Sequence, residues 1–299
     1  MKGLIVTADD FGAAREVNEA VEAAHRGGIL TAASLMVSAP AAADAVALAR
    51  RMPSLRVGLH LVLVEGRPTL PPSEVPRLIG KDGAFRTDMA RLGAEVAFDR
   101  RSRRQLEAEI TAQFEAFEAT GLPLDHCNAH KHFHLHPHIG GLLASIGRRF
   151  GLRAARVPKE PASVLRCVEP RSARLGSLLI APFALPLLER RLAAAGVATP
   201  ERVFGLQWSG QMIRRRLAGL IEHLPDGLTE IYLHPATGTY PGSAPGYRYR
   251  EELDALTSPD MLRACRERRL RLGGYIDFAE PRPMTGDGAR CTRQGETLA

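Results

Sequence analysis

At 299 residues, 45% of them hydrophobic, the chain can bury a large core and lacks the composition of a disordered or fibrous protein. The net charge is +7, but only four of the 40 basic residues are lysine. The arginines are interleaved with acids, as over Arg100 to Glu109, and no nucleic-acid-binding motif accompanies them.

The four cysteines, Cys127, Cys167, Cys265 and Cys291, have no CxxC spacing, which argues against a zinc knuckle or disulfide scaffold and fits a reducing cytoplasm. Met1-Lys2-Gly3 runs directly into an apolar strand, leaving no room for a secretion signal. No stretch reaches the ~18 uninterrupted apolar residues of a spanning helix. The nearest, Leu175 to Leu188, is broken by Pro182 and Pro186, and reads as a buried segment, a flap over substrate or an interfacial anchor.

Strand and helix signals alternate along the chain, the pattern of a parallel sheet. Lys2 to Thr7 predicts the first strand, and Glu16 to His25 a helix with Val17, Ala20, Val21 and Ala24 on one face, closed by Gly27-Gly28. Leu30 to Val37, Arg56 to Val62 and Pro123 to Asn128 supply further strands, with a helix over Ala41 to Arg51. The proline- and glycine-rich connection Pro68 to Phe85 has the length of a functional loop or lid. Arg103 to Thr120 is an amphipathic helix, because Leu106, Ile110, Phe114 and Phe117 recur at helical spacing. A helix over Pro137 to Phe150 and a strand at Arg153 to Val157 follow, then an insertion over about 158 to 200. Strands at Val203 to Gln207, Thr229 to Leu233 and Arg271 to Ile276, with helices at Gln211 to His223 and Pro259 to Arg269, complete the series. These elements predict one α/β domain over residues 1 to 280, a distorted TIM-like (β/α) barrel of about seven strands with its site at the strand C-terminal ends. Residues 281 to 299 read as a disordered tail.

The chemistry-bearing residues fall at strand ends. Asp9 and Asp10 follow the apolar run Leu4-Ile5-Val6; His60 lies in Gly58-Leu59-His60-Leu61; six of the ten histidines lie between His126 and His138. Two imidazoles and a carboxylate can hold a divalent cation and leave positions open for water and substrate. Neighbours on an extended chain point in opposite directions and two like charges separate in pKa, so one aspartate is expected to bind the cation and the other to stay free to take a proton. An aspartate that merely caps the next helix is the plainer alternative. Five imidazoles at alternate positions from 130 to 138 would not face a core, so most line a polar cavity or lie in a loop. His234, after Ile231-Tyr232-Leu233, is placed to act as an acid. Arg156 would orient a substrate or a carboxylate, or form a structural salt bridge.

Thr7-Ala8-Asp9-Asp10-Phe11-Gly12, Gly58-Leu59-His60-Leu61, Asn128-Ala129-His130-Lys131-His132-Phe133-His134 and Leu233-His234-Pro235 together resemble the YdjC-like carbohydrate deacetylases, in order and rough spacing. The run Arg156-Val157-Pro158-Lys159-Glu160-Pro161 and the apolar insertion after it resemble the branch associated with hopanoid biosynthesis. The resemblance implies a metal-dependent hydrolase that removes acetyl from an N-acetylated amino sugar, borne on a hopanoid in that branch. Asp10, His60 and His130 would be the ligands of one divalent ion, zinc or magnesium, with Asp9 the general base and His234 the acid. Arg156 and His132 would contact substrate. The family often has an acid at the position of Asn128 and a histidine at that of Lys131, departures that bear on the surroundings of the metal rather than on its ligands. The implied partners are the sugar or glycolipid and no nucleic acid; peripheral contact with the inner membrane from the cytoplasm and a homodimer are compatible with this reading. The alternatives are a non-catalytic sugar- or lipid-binding relative and a two-histidine, one-carboxylate iron oxygenase.

Overall fold

Leu4, Ile5 and Val6 are wholly buried at the centre of strand β1 (Lys2–Phe11), and only its first residue reaches solvent. A strand covered on both faces belongs to a parallel sheet flanked by helices, and among the described residues every strand pairing in the sheet is parallel. A computed structural model describes residues 2–170 and 181–279. The predicted tail and the first part of the apolar run from Leu175 lie outside those residues.

The other strands are β2 (Ala32–Leu35), β3 (Arg56–Leu61), β4 (Cys127–Ala129), β5 (Arg202–Phe204), β6 (Gly227–Leu233) and β7 (Arg271–Leu272). Their order is β4-β3-β2-β1-β6-β5, with β7 beside the start of β1. The result is a curled, incomplete parallel barrel with helices around it, the expected α/β class. The predicted strand at Arg153 to Val157 is reduced to single bridges, Cys127 to Ala155 and Ala154 to Ala198, which carry the curl past β4.

The helical predictions hold where a whole face repeats. Leu106, Ile110, Phe114 and Phe117 are buried on the helix Arg100–Ala119, whose N-terminus is capped by Asp99 accepting from the Arg101 and Ser102 amides. Glu109 on that helix accepts from the backbone amides of Thr69 and Leu70, pinning the long connection after β3 to the helix. Helices at Met89–Phe98, Ala162–Val168, Ala181–Ala194 and Tyr249–Thr257 lay outside the predicted elements. Among the described residues no helix is long and apolar enough to cross a membrane.

Candidate metal centre and active site

The two aspartates lie inside β1, not beyond it. Ala8 pairs with Ala33 and Phe11 with Leu35, so three steps on β1 face two on β2, a bulge at Asp9-Asp10. Asp10 absorbs it with φ of +62°, a left-handed conformation that aspartate tolerates better than most residues. The bulge overturns the expected alternation: both carboxylates line the same cavity. Gly12, at φ +94°, then turns the chain away, its amide donating to Asn18 Oδ1 at 2.9 Å.

His60 and Asn128 are register partners on β3 and β4 and so share a face, while His130 follows the end of β4 directly. Asp10 Oδ1 stands 3.3 Å from His60 Nε2 and 3.2 Å from His130 Nδ1. Two ligand atoms bonded to one cation at about 2.0–2.2 Å are themselves roughly 3.0–3.5 Å apart. Asp10, His60 and His130 form the metal-competent cluster among the described residues, a single divalent-ion site.

The hydrogen-bonding around His60 tests the fit. Asn128 donates through Nδ2 to Asp9 Oδ1 and to Ser34 Oγ, each at 3.0 Å, and the two bonds together turn its Oδ1 toward His60 Nδ1, 2.7 Å away. The His60 proton therefore sits on Nδ1, and Nε2 presents a lone pair. Among the described residues that atom is buried without a hydrogen-bond partner, although the Asp10 oxygen is near. Two lone pairs facing each other at 3.3 Å are repulsive unless a cation or a proton lies between them. The residues thus fit a divalent ion. Burial alone would lower the His60 pKa, but the charges of Asp9 and Asp10 hold it above the ordinary 6.5. Protonation competes with the metal, so affinity is expected to fall about tenfold per pH unit as pH drops through that raised value, beginning above 6.5. Zinc competition against a chromophoric chelator from pH 8 to 5 checks this, and a flat profile contradicts it.

Asp9 is held from behind. Arg156 Nη1 donates to Asp9 Oδ2 at 2.6 Å and Nη2 to Oδ1 at 3.0 Å, while Nε and Nη2 also donate to Glu230. The guanidinium is fully buried, lies 4.3 Å over the Tyr232 ring, and does not line the cavity. Arg156 as a substrate contact is therefore corrected: of the roles open in the sequence, it takes that of orienting a carboxylate of the site. Burial works to raise the Asp9 pKa, but the Arg156 charge overrides it and holds the carboxyl well below its usual range. Removing one partner of a buried ion pair leaves the others uncompensated. Arg156→Ala is expected to lose about 3–5 kcal/mol of stability in a urea melt.

The histidine run divides its labour. Left-handed Lys131 and His132, with φ of 52° and 54°, turn the chain into a 3-10 segment, so the strand-like alternation stops at Ala129. His130 and His132 line the cavity, His132 Nε2 lying 2.9 Å from the Tyr232 hydroxyl, and burial pushes the His132 pKa well below normal. His134 is buried against the Arg156 carbonyl, with its pKa pushed down to about 4, chiefly by burial. His136 accepts from the His138 amide at the start of the helix Pro137–Arg149.

His234, one residue past β6, also lines the cavity, and among the described residues its Nδ1 has no hydrogen-bond partner. Burial lowers its pKa against the opposing pull of Asp10 and Asp9. Its backbone amide donates to Glu252 at 2.5 Å; Glu252 is itself buried, and desolvation raises its pKa to about 7.

The cavity has a volume of about 950 Å³, and its outer wall carries Tyr240, Tyr247 and Tyr249, which no sequence pattern singled out. Glu230 was also missed, although a charged residue directly before the apolar Ile231-Tyr232-Leu233 run was a visible signal.

A sequence model of the family described as YdjC-like protein matches residues 3–267. A carbohydrate deacetylase from Geobacillus stearothermophilus is 33% identical over 92% of this chain and 97% of its own. One from Mus musculus is 30% identical over 95% and 97% respectively. A crystal structure from Enterococcus faecalis, of a protein described as a candidate for cellobiose-phosphate cleavage, superposes with a TM-score of 0.72 at 23% identity, covering 93% of this chain and 99% of that one. The last likeness bears on the fold alone.

Proposed function

We propose that this chain, which belongs to the YdjC-like family, is a metal-dependent carbohydrate deacetylase that releases acetate from an N-acetylated amino sugar. The observation that carries the reading is the Asp10, His60 and His130 cluster at the C-terminal ends of parallel strands, beside a second carboxylate, Asp9, open to the same cavity. A divalent cation held there would polarise the amide carbonyl and acidify a water.

Asp9 takes the water proton. Arg156 and Asn128 keep its carboxylate ionised and fixed in direction, so it is ready as an acceptor at any neutral pH. His234, a cavity-lining imidazole, protonates the departing amine from its imidazolium form, which the charges of Asp10 and Asp9 support against burial. His132 is taken as a substrate contact in the cavity wall. The tyrosine wall offers flat, partly apolar surfaces to the C–H faces of a pyranose, and the cavity volume admits more than one sugar ring.

The finer proposal is a lipid-linked amino sugar such as a glycosylated hopanoid, met at the cytoplasmic face of a membrane. Its support is the sequence run 156 to 161, the apolar residues after it, and Phe183, which is 82% exposed on the helix Ala181–Ala194. Phe183→Ser should slow action on a glycolipid and spare a soluble oligosaccharide; equal slowing on both would argue for a folding role. The activity itself is tested by acetate release from N-acetylated glycans. Chelation should abolish it and added zinc restore it, whereas release indifferent to chelator would sink the reading.

A further inference from the structure

Behind the metal ligands, on the side away from the cavity, four buried polar residues are joined in a line. Asp125 Oδ2 lies 2.8 Å from His126 Nδ1, His126 Nε2 lies 3.0 Å from Ser34 Oγ, and Ser34 Oγ lies 3.0 Å from Asn128 Nδ2. Asn128 then reaches His60 through its Oδ1. Every member is 2% exposed or less. The first three residues repeat the connectivity of a serine hydrolase triad, but neither Ser34 nor His126 lines the cavity, and both sides of the Ser34 oxygen are engaged. A nucleophile would need access that this serine lacks.

The line has one direction. Asp125 accepts from the backbone amides of Tyr275 and Ile276 as well as from the imidazole, so both of its oxygens act as acceptors. In a neutral His126 ring the proton therefore sits on Nδ1, leaving Nε2 to accept the Ser34 hydroxyl proton. With that proton committed, the Ser34 oxygen can only accept, and it takes one N–H of Asn128. Asp9 takes the other at 3.0 Å. With both N–H groups spoken for, the amide oxygen has one place to point, the His60 Nδ1–H. The packing protects the arrangement: Tyr275 stacks on the His126 ring at 4.2 Å, and a Cβ at Gly58 would stand 2.5 Å from that ring.

We propose that Asp125, His126, Ser34 and Asn128 form a one-way hydrogen-bond chain that sets the tautomer of His60, so that Nε2 always presents its lone pair to the metal. The proposal rests on the metal-centre reading of the site. Asp125, His126 and Ser34 are positioning residues: they touch neither metal nor substrate and act through Asn128.

The test combines nitrogen NMR of the metal-free chain with zinc affinity by competition. In the metal-free wild type His60 should be the Nδ1–H tautomer; an Nε2–H tautomer there overturns the proposal whatever any variant does. Ser34→Ala should bind zinc about tenfold more weakly and show His60 exchanging between tautomers. In an Asn128→Ala background, Ser34→Ala should add no further loss, because its effect runs through that amide. Equal losses in both backgrounds would assign Ser34 to packing, and unchanged affinity with an unchanged tautomer would also overturn the chain. A wild type that shows the expected tautomer yet takes no zinc would leave the chain standing and remove the metal-centre reading instead.

Discussion

His60→Ala and Asp10→Ala are expected to lose bound zinc and turnover together. Replacing a residue that merely orients a ligand typically costs about 10- to 100-fold in affinity. Deleting one of three protein ligands should exceed that range, since the remaining pair keeps no enclosed coordination position. The two variants should nonetheless differ in stability. His60 is 2% exposed and hydrogen-bonded to Asn128, so its removal opens a hole and strands the Asn128 oxygen. Asp10 sits on the bulge with one carboxylate oxygen directed at both imidazoles, and its loss relieves a buried charge while leaving the β-ladder to Ala33 and Leu35 intact. Metal content by atomic absorption and acetate release on the same preparations decide the matter. A variant that kept full zinc and full activity would remove that residue from the ligand set.

The candidate site was legible because its polar residues interrupt apolar strands. Asp9, His60 and His234 stand out as polar groups at the ends of runs that bury everything else, and a parallel sheet gathers such ends on one rim. The division of roles was less legible, because it depends on backbone geometry. A period-two reading assigned Asp9 and Asp10 to opposite faces; one extra residue in β1 and a left-handed Asp10 bring both into the cavity. The same limit applies to the histidine run, where left-handed Lys131 and His132 end the alternation. Arg156 was ambiguous since an arginine after two alanines carries no local sign of its partners, Asp9 and Glu230, which come from distant strands. The helix Tyr249–Thr257 was lost for a related reason: its buried face carries Glu252, a charged residue where an apolar period is expected, and that side chain reaches the His234 amide.

Asp9→Asn is expected to retain zinc while kcat falls by about 10²- to 10⁴-fold, the range a positioned general base contributes. The retention follows from the geometry, because the metal cluster is Asp10, His60 and His130 and does not include Asp9. The charge balance favours folding as well: Arg156 bridges two carboxylates, and neutralising one leaves a matched pair with Glu230. Against that, both Asp9 oxygens accept hydrogen bonds, so an amide nitrogen in place of one oxygen confronts a donor, at a cost of about 1–3 kcal/mol. A modestly lower melting temperature with full zinc and little turnover is the expected combination. The pH profile separates the base from the metal. Asp9 is held well below the usual carboxylate range and stays ionised throughout the working window, so the acid limb of kcat/KM should follow metal release through His60, and its midpoint should move to lower pH in Asp9→Asn, where one of the charges that raise the His60 pKa is gone. Were turnover near normal in the zinc-loaded variant, the proton would have to leave by another group, and Asp9 would be only an anchor for Arg156.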